Sequence, residues 1–153
     1  MQPTFTIATH ADIDTLLQFM QEFYTCDHIA FEEAGARSAL TTLLSDASLG
    51  RAWLIGAKGE AIGYVVLVFG FSLEYHGRDA FLDELYIRED YRGQGIGALA
   101  LQFLEEVCRS LGIRALHLEV SHDNTKAQSV YRRAGFKDHD RYLMTREITN
   151  LET

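Results

Sequence analysis

The chain has 153 residues and a mass of 17.3 kDa, 47% of them hydrophobic and 24% charged, which suits one domain with a core of its own. That profile excludes a disordered tail, a collagen-like rod and a disulfide scaffold, and the two cysteines, Cys26 and Cys108, form no CxxC pair. A net charge of −8 argues against broad nucleic-acid binding, which needs a positive stripe, and favours cationic partners.

The opening MQPTFTIATHAD lacks the basic and apolar regions of a secretory signal. The longest apolar run, Ala61 to Phe71, is about half the ~20 residues of a membrane helix. A soluble, cytoplasmic protein without a membrane partner is the expectation. Phe5 to Ala8 reads as a first strand, after which Thr9 can cap a helix carrying Ile13, Leu16, Leu17, Met20, Phe23 and Tyr24 on one face. A second helix carries Ala36, Leu40, Leu43 and Leu44. The period then changes to two: Arg51–Ala57 and Ile62–Phe71 read as strands joined by a Lys58-Gly59-Glu60 turn, and Phe81–Arg88 as another. A long amphipathic helix follows, with Ile96, Ala100, Leu104 and Cys108 inward and Gly112 as its stop. Ile113–Val120 returns as a strand, Thr125–Arg133 as a short helix, and Arg141–Ile148 as a last strand. The order βααβββαβαβ over residues 1–153 predicts one α/β domain, a mixed, mostly antiparallel central sheet with helices on both faces.

The most informative stretch is Tyr91-Arg92-Gly93-Gln94-Gly95-Ile96-Gly97, at the entrance of the long helix. Backbone N–H groups of Gly93 to Gly97 can converge on an anion, the helix N-terminus adds about half a positive charge, and Arg92 adds a formal one. A phosphate, most naturally a pyrophosphate, is the expected ligand. No Gly-Lys-Ser/Thr follows, so the loop is not a P-loop. Gly93-x-Gly95-x-x-Ala98 satisfies a relaxed dinucleotide pattern, with Glu119 near the end of the next strand. Against an oxidoreductase, Arg88 to Arg92 separate strand from glycine, and the unit starts too late in the chain for a doubly wound sheet.

Leu85-Tyr86-Ile87 followed by Arg92-x-x-Gly95-x-Gly97 resembles the acetyl-coenzyme A signature of the GCN5-related N-acetyltransferase (GNAT) superfamily, Q/R-x-x-G-x-G/A. A second pattern of that family, Asn124-x-x-Ala127-x-x-x-Tyr131-x-x-x-Gly135-Phe136, follows at the expected distance. The stretch Ser72 to Ile87 resembles the spermidine/spermine and thialysine acetyltransferase branch. The resemblance implies an N-acetyltransferase with acetyl-CoA as cosubstrate and a small amine, polyamine or amino-acid-like, as acceptor. The backbone of Gln94 to Ala98 (Gln94, Gly95, Ile96, Gly97, Ala98) with Arg92 and Gly93 would take the pyrophosphate, and Leu85, Tyr86 and Ile87 the pantetheine arm. Asn124 and Ala127 would lie along that arm, though Asn124 serves equally as a helix cap. Tyr131 would donate the proton to the leaving thiolate, and a backbone N–H near Ile87 would meet the oxyanion.

For the base, Asp83 and Glu84 both stand before the loop, and alternation along a strand lets only one face the acceptor; the resemblance implies Asp83 by the polyamine-acetylating branch and Glu84, the preferred one, by many other relatives. Residues Tyr24, Asp27, His28, Glu32 and Glu33 would cover the acceptor pocket, and His117 with Glu119 could line it. The six histidines show no metal spacing, so no metal is expected. Homodimerisation is common in the family, and a non-catalytic acetyl-CoA sensor is the alternative of a different class.

Overall fold

Apolar, β-branched and aromatic residues between Gly50 and Ile87 build a meander of long strands, and the rest of the chain wraps its two faces. In the computed structural model, which describes residues 2–148, the strands are β1 (Thr4–Ile7), β2 (Gly50–Ala57), β3 (Glu60–Ser72), β4 (Gly77–Ile87) and β5 (Ala115–His117). The helices are α1 (Ile13–Cys26), α2 (Glu33–Ser45), α3 (Ile96–Ser110) and α4 (Thr125–Arg133). One sheet runs in the order β1-β2-β3-β4-β5, antiparallel through β4, with β5 parallel to β4 after the α3 crossover. The expected mixed, mostly antiparallel α/β fold is what forms. Residue 1 and residues 149–153, the ends of the expected domain, lie outside the described residues.

Strands β2, β3 and β4 divide their side chains between two cores. Ile62, Val65 and Leu67 of β3 pack with Ile96, Leu101, Leu104 and Cys108 of α3, and Val130 and Tyr131 of α4 join them. On the other face, Tyr64 and Val66 pack with Leu16, Leu17, Phe19 and Met20 of α1 and Leu40 of α2. Because β3 is covered on both faces, its central residues are continuously buried instead of alternating in polarity. The β2–β3 connection is a two-residue turn, with Lys58 (φ 52°) and Gly59 (φ 82°) both left-handed, as a type I′ hairpin requires.

Two expected strands are corrected. The one expected over Ile113–Val120 is reduced to Ala115–His117. The last strand, expected over Arg141–Ile148, is not formed, so the order among the described residues is βααβββαβα. A strand holds only where a neighbour supplies its hydrogen bonds. The sheet edge at β5 offers three residues, and Tyr142, Leu143 and Met144 lie exposed.

Candidate active site

The glycine loop has the backbone that its sequence requires. Gly93 (φ 74°) and Gly95 (φ 82°) take the left-handed conformation, and Gly95 caps α3. A Cβ at Gly93, Gly95 or Gly97 would meet no protein atom within 4 Å, so the space before the loop is open at all three positions. Ile96 is buried in the core and anchors the helix entrance, leaving its backbone as the part that can face a ligand. The N–H groups of Ile96, Gly97 and Ala98 fall in the first helical turn, where no intrahelical acceptor exists. Arg92 donates from Nε to the carbonyl of Ile87 at 2.7 Å, and its guanidinium carbon lies 5.6 Å from the centre of the Tyr86 ring. Its charge is thereby held where the loop meets the end of β4.

That end of β4 is an open edge. Pairing with β5 covers only Asp79–Phe81, while β4 continues to Ile87. Arg88 N–H donates to Ile62 O, which sets the alternation of the β3–β4 ladder. Tyr86 therefore spends its backbone groups on β3, and Leu85 and Ile87 turn theirs toward the gap. Of the three residues expected along a pantetheine arm, Leu85 presents both backbone groups and Ile87 its N–H alone, because Arg92 takes the Ile87 carbonyl. Tyr86 instead sends its hydroxyl to Glu22 at 2.9 Å; burial, and then this bond, push its pKa up to about 12. Arg88 holds the same Glu22 carboxylate at 2.9 Å and keeps its pKa below the ordinary range.

The two acids do not point to opposite faces. Val66 pairs with Glu84 and Leu67 with Leu82, so Asp83 is an extra residue, a β-bulge. Leu82 packs with the α3 core and Tyr86 with the α1 core; the bulge inverts the alternation between them. Asp83 and Glu84 consequently line one cleft of about 240 Å³, between β3, α1 and α2. The expectation that only one could face the acceptor is corrected by this one inserted residue.

Glu84 is clamped by phenols. Tyr64 donates to Oε1 at 2.6 Å and Tyr24 donates to Oε2. Burial raises the Glu84 pKa, the two hydroxyls pull it back, and the charge of Asp83 raises it again. Partial desolvation in the cleft wall also raises Asp83. Both phenols are raised in turn, chiefly by burial and then by Glu84, and stay protonated donors. Neither tyrosine reads as a partner of Glu84 in sequence. The signal for Tyr64 is the register: it is the diagonal neighbour of Glu84 across the β3–β4 pair, within reach of a long side chain.

Tyr131 lies half-buried on α4 with its ring 6.0 Å from that of Phe136, and burial, with a contribution from Asp27, raises its pKa. It belongs to the α3 side of the sheet, the acids to the α1 side. Asn124 caps α4, its side-chain oxygen accepting from Ala127 N–H at 3.1 Å. Asn124→Ala should therefore lower stability by about 1 kcal/mol; chemical denaturation checks this, and an unchanged midpoint would leave the cap without weight. His117 is engaged by Asp79 at 3.1 Å, near the start of β4 and away from Glu84. Among the described residues, no group of three His, Cys, Asp or Glu side chains could hold a metal ion, and no helix is long and apolar enough to cross a membrane.

An open backbone edge and an acid-lined cleft thus adjoin on consecutive residues of one strand. The family model of the acetyltransferase (GNAT) family matches residues 15–136, and the chain belongs to that family. The thialysine N-epsilon-acetyltransferase of Bos taurus is 33% identical over 90 residues, 56% of this chain and 52% of that protein. The chain spans about half the length of the curated relatives it matches. Among solved structures, an integron cassette protein from the mobile metagenome of Cole Harbour Salt Marsh superposes with a TM-score of 0.85 at 37% identity, covering 96% of this chain and 91% of the other. A predicted acetyltransferase from Clostridium acetobutylicum, solved with acetyl-CoA, shares the fold at a TM-score of 0.79 and 19% identity, covering 95% and 96%.

Proposed function

We propose that this protein is an acetyl-CoA-dependent N-acetyltransferase that moves the acetyl group directly to a primary amine of a small cationic acceptor. The observation that carries the reading is the bulge at Asp83. It sets both acids into the acceptor cleft one residue before the free backbone edge at Leu85. Family membership and the acetyl-CoA held by a neighbour of the same fold support the choice of donor.

Arg92 and the N–H groups of the first α3 turn receive the pyrophosphate, and Leu85, with both backbone groups turned from β3, holds the pantetheine arm as an added strand. Asn124 has spent its oxygen on the cap, which leaves its amide nitrogen to face that arm. Asp83 and Glu84 draw in the ammonium, whose pKa near ~10 denies it a lone pair at neutral pH. Glu84 takes the proton, and Tyr24, on its other oxygen, orients the carboxylate. Bound acetyl-CoA supplies an acyl thioester, so that the C–N bond forms as the C–S bond breaks. Ile87 N–H, facing the gap, meets the oxygen that becomes negative. Tyr131 gives its proton to the departing sulfur, and the second proton leaving the nitrogen as the amide forms passes through water to restore the phenol.

Direct transfer leaves no acetyl group on the protein. Intact mass after mixing with acetyl-CoA alone should be unshifted, and an acetylated chain competent to pass the group to an amine would overturn the mechanism. Tyr131→Phe should lower kcat by about 10-fold or more with acetyl-CoA affinity retained; an unchanged kcat where chemistry limits turnover would remove Tyr131 from the acid role.

A further inference from the structure

The cleft beyond the acids is apolar to its end. From Asp83 and Glu84 it runs along Val66 and Val68 of β3, with Leu40 and Leu43 of α2 as the facing wall. Ala36 and Ala39, small residues on the same stripe of α2, keep that wall back from the strand. Two positions of β3 cover roughly 7 Å, and Ala36 to Leu43 about 10 Å, the reach of a short hydrocarbon arm.

No cation lines this cleft. Of the elements that build it, α1 and β3 carry no lysine or arginine. Arg37 of α2 is committed to Glu33 and Asp14, at 2.8 and 2.9 Å. Arg78 of β4 stacks over Phe69, 5.2 Å from the ring centre, in a separate depression. A carboxylate beside the reacting amine would meet Asp83 and Glu84, and one at the far end would lie against valine and leucine. A second ammonium at the far end would lie beside Val68 and Leu43 with no acid in the lining to pair with it.

We infer that the acceptor is a primary monoamine on an uncharged apolar arm, an alkylamine in chemical class, and that diamines and amino acids are poor acceptors. This rests on the acetyl-transfer reading above, and it departs from the bovine relative, which is named for an amino acid. Charge complementarity at one end and hydrocarbon at the other define the occupant together; the acids alone would admit any cation.

Hexylamine, hexanediamine and aminohexanoate share six carbons and differ at the far end. Thiol release with acetyl-CoA should give hexylamine a kcat/KM at least ~10-fold above either of the others. Val68→Glu, which sets a carboxylate at the far end, should shift the hexanediamine-to-hexylamine ratio upward by about 10-fold. Acetyl-CoA affinity is measured by calorimetry on the same samples. If hexanediamine or aminohexanoate matches hexylamine in the parent protein, the inference falls and acetyl transfer stands. If acetyl-CoA binds and none of the three is acetylated, the inference also falls. If acetyl-CoA does not bind, the donor reading falls and takes the inference with it. The parent series decides the matter whether or not the Val68 variant folds.

Discussion

Glu84→Gln should lower kcat/KM by at least ~100-fold while leaving the protein as stable at neutral pH as the parent, or more so. The two effects share one cause. Burial holds the Glu84 carboxyl above its ordinary value, so the folded protein binds this proton more tightly than the unfolded chain does. Its contribution to stability is complete below the unfolded pKa and is lost as pH rises through the folded one, where the partly buried carboxylate takes over. Glutamine removes that charge and still serves both phenols, its oxygen accepting from one and its amide donating to the other. The same raised pKa sets the acidic limb of the parent pH–rate profile above the ordinary glutamate range, and that limb should vanish in the variant. Thermal unfolding and kcat/KM measured across pH read both arms. A variant with undiminished kcat/KM would transfer the base role to Asp83.

Gly95→Leu should raise the Kd for acetyl-CoA by about 100-fold or more, a larger loss than the fold suffers. At φ 82° an L-residue costs about 1–2 kcal/mol. The added side chain meets no protein atom within 4 Å of its Cβ, so it projects into the space where the phosphates would lie. The backbone N–H groups can no longer approach an anion, and each charge-assisted bond lost is worth roughly 1.5–3 kcal/mol. Gly112→Ala is the control. Gly112 has φ 70° just past the other end of α3 and equally open space at its Cβ. It should cost comparable stability and leave the Kd untouched. Calorimetric titration of both variants separates strain from cradle, and equal Kd values would strip the loop of its assigned ligand.

Much of this was written locally. The helix faces of α1 and α3, the left-handed Gly95 and Gly112, and the Ala57–Glu60 hairpin follow from spacing and from φ constraints that act within a few residues. What the sequence could not show depends on pairing between distant segments. The bulge at Asp83 is one residue of register between β3 and β4, and nothing in SLEYHGRDAFLDELYI marks which residue is extra. Without it, Asp83 and Glu84 alternate and only one acid faces the cleft. The clamp of Tyr24 and Tyr64 on Glu84 spans 60 and 20 residues of chain, and both tyrosines fit a hydrophobic period equally well. The strand expected over Arg141–Ile148 fails for a related reason: its composition suits a strand, but β5 gives it too short a ladder.

The central claim is that the open edge of β4 and the glycine loop hold the donor beside an acid-lined acceptor cleft. Its most direct test is one calorimetric titration with acetyl-CoA, followed in the same cell by addition of a primary amine and assay of free thiol. Saturable binding at one site per chain, then thiol release only when amine is present, is the predicted result. Absence of acetyl-CoA binding, or thiol release that does not depend on amine, would contradict it.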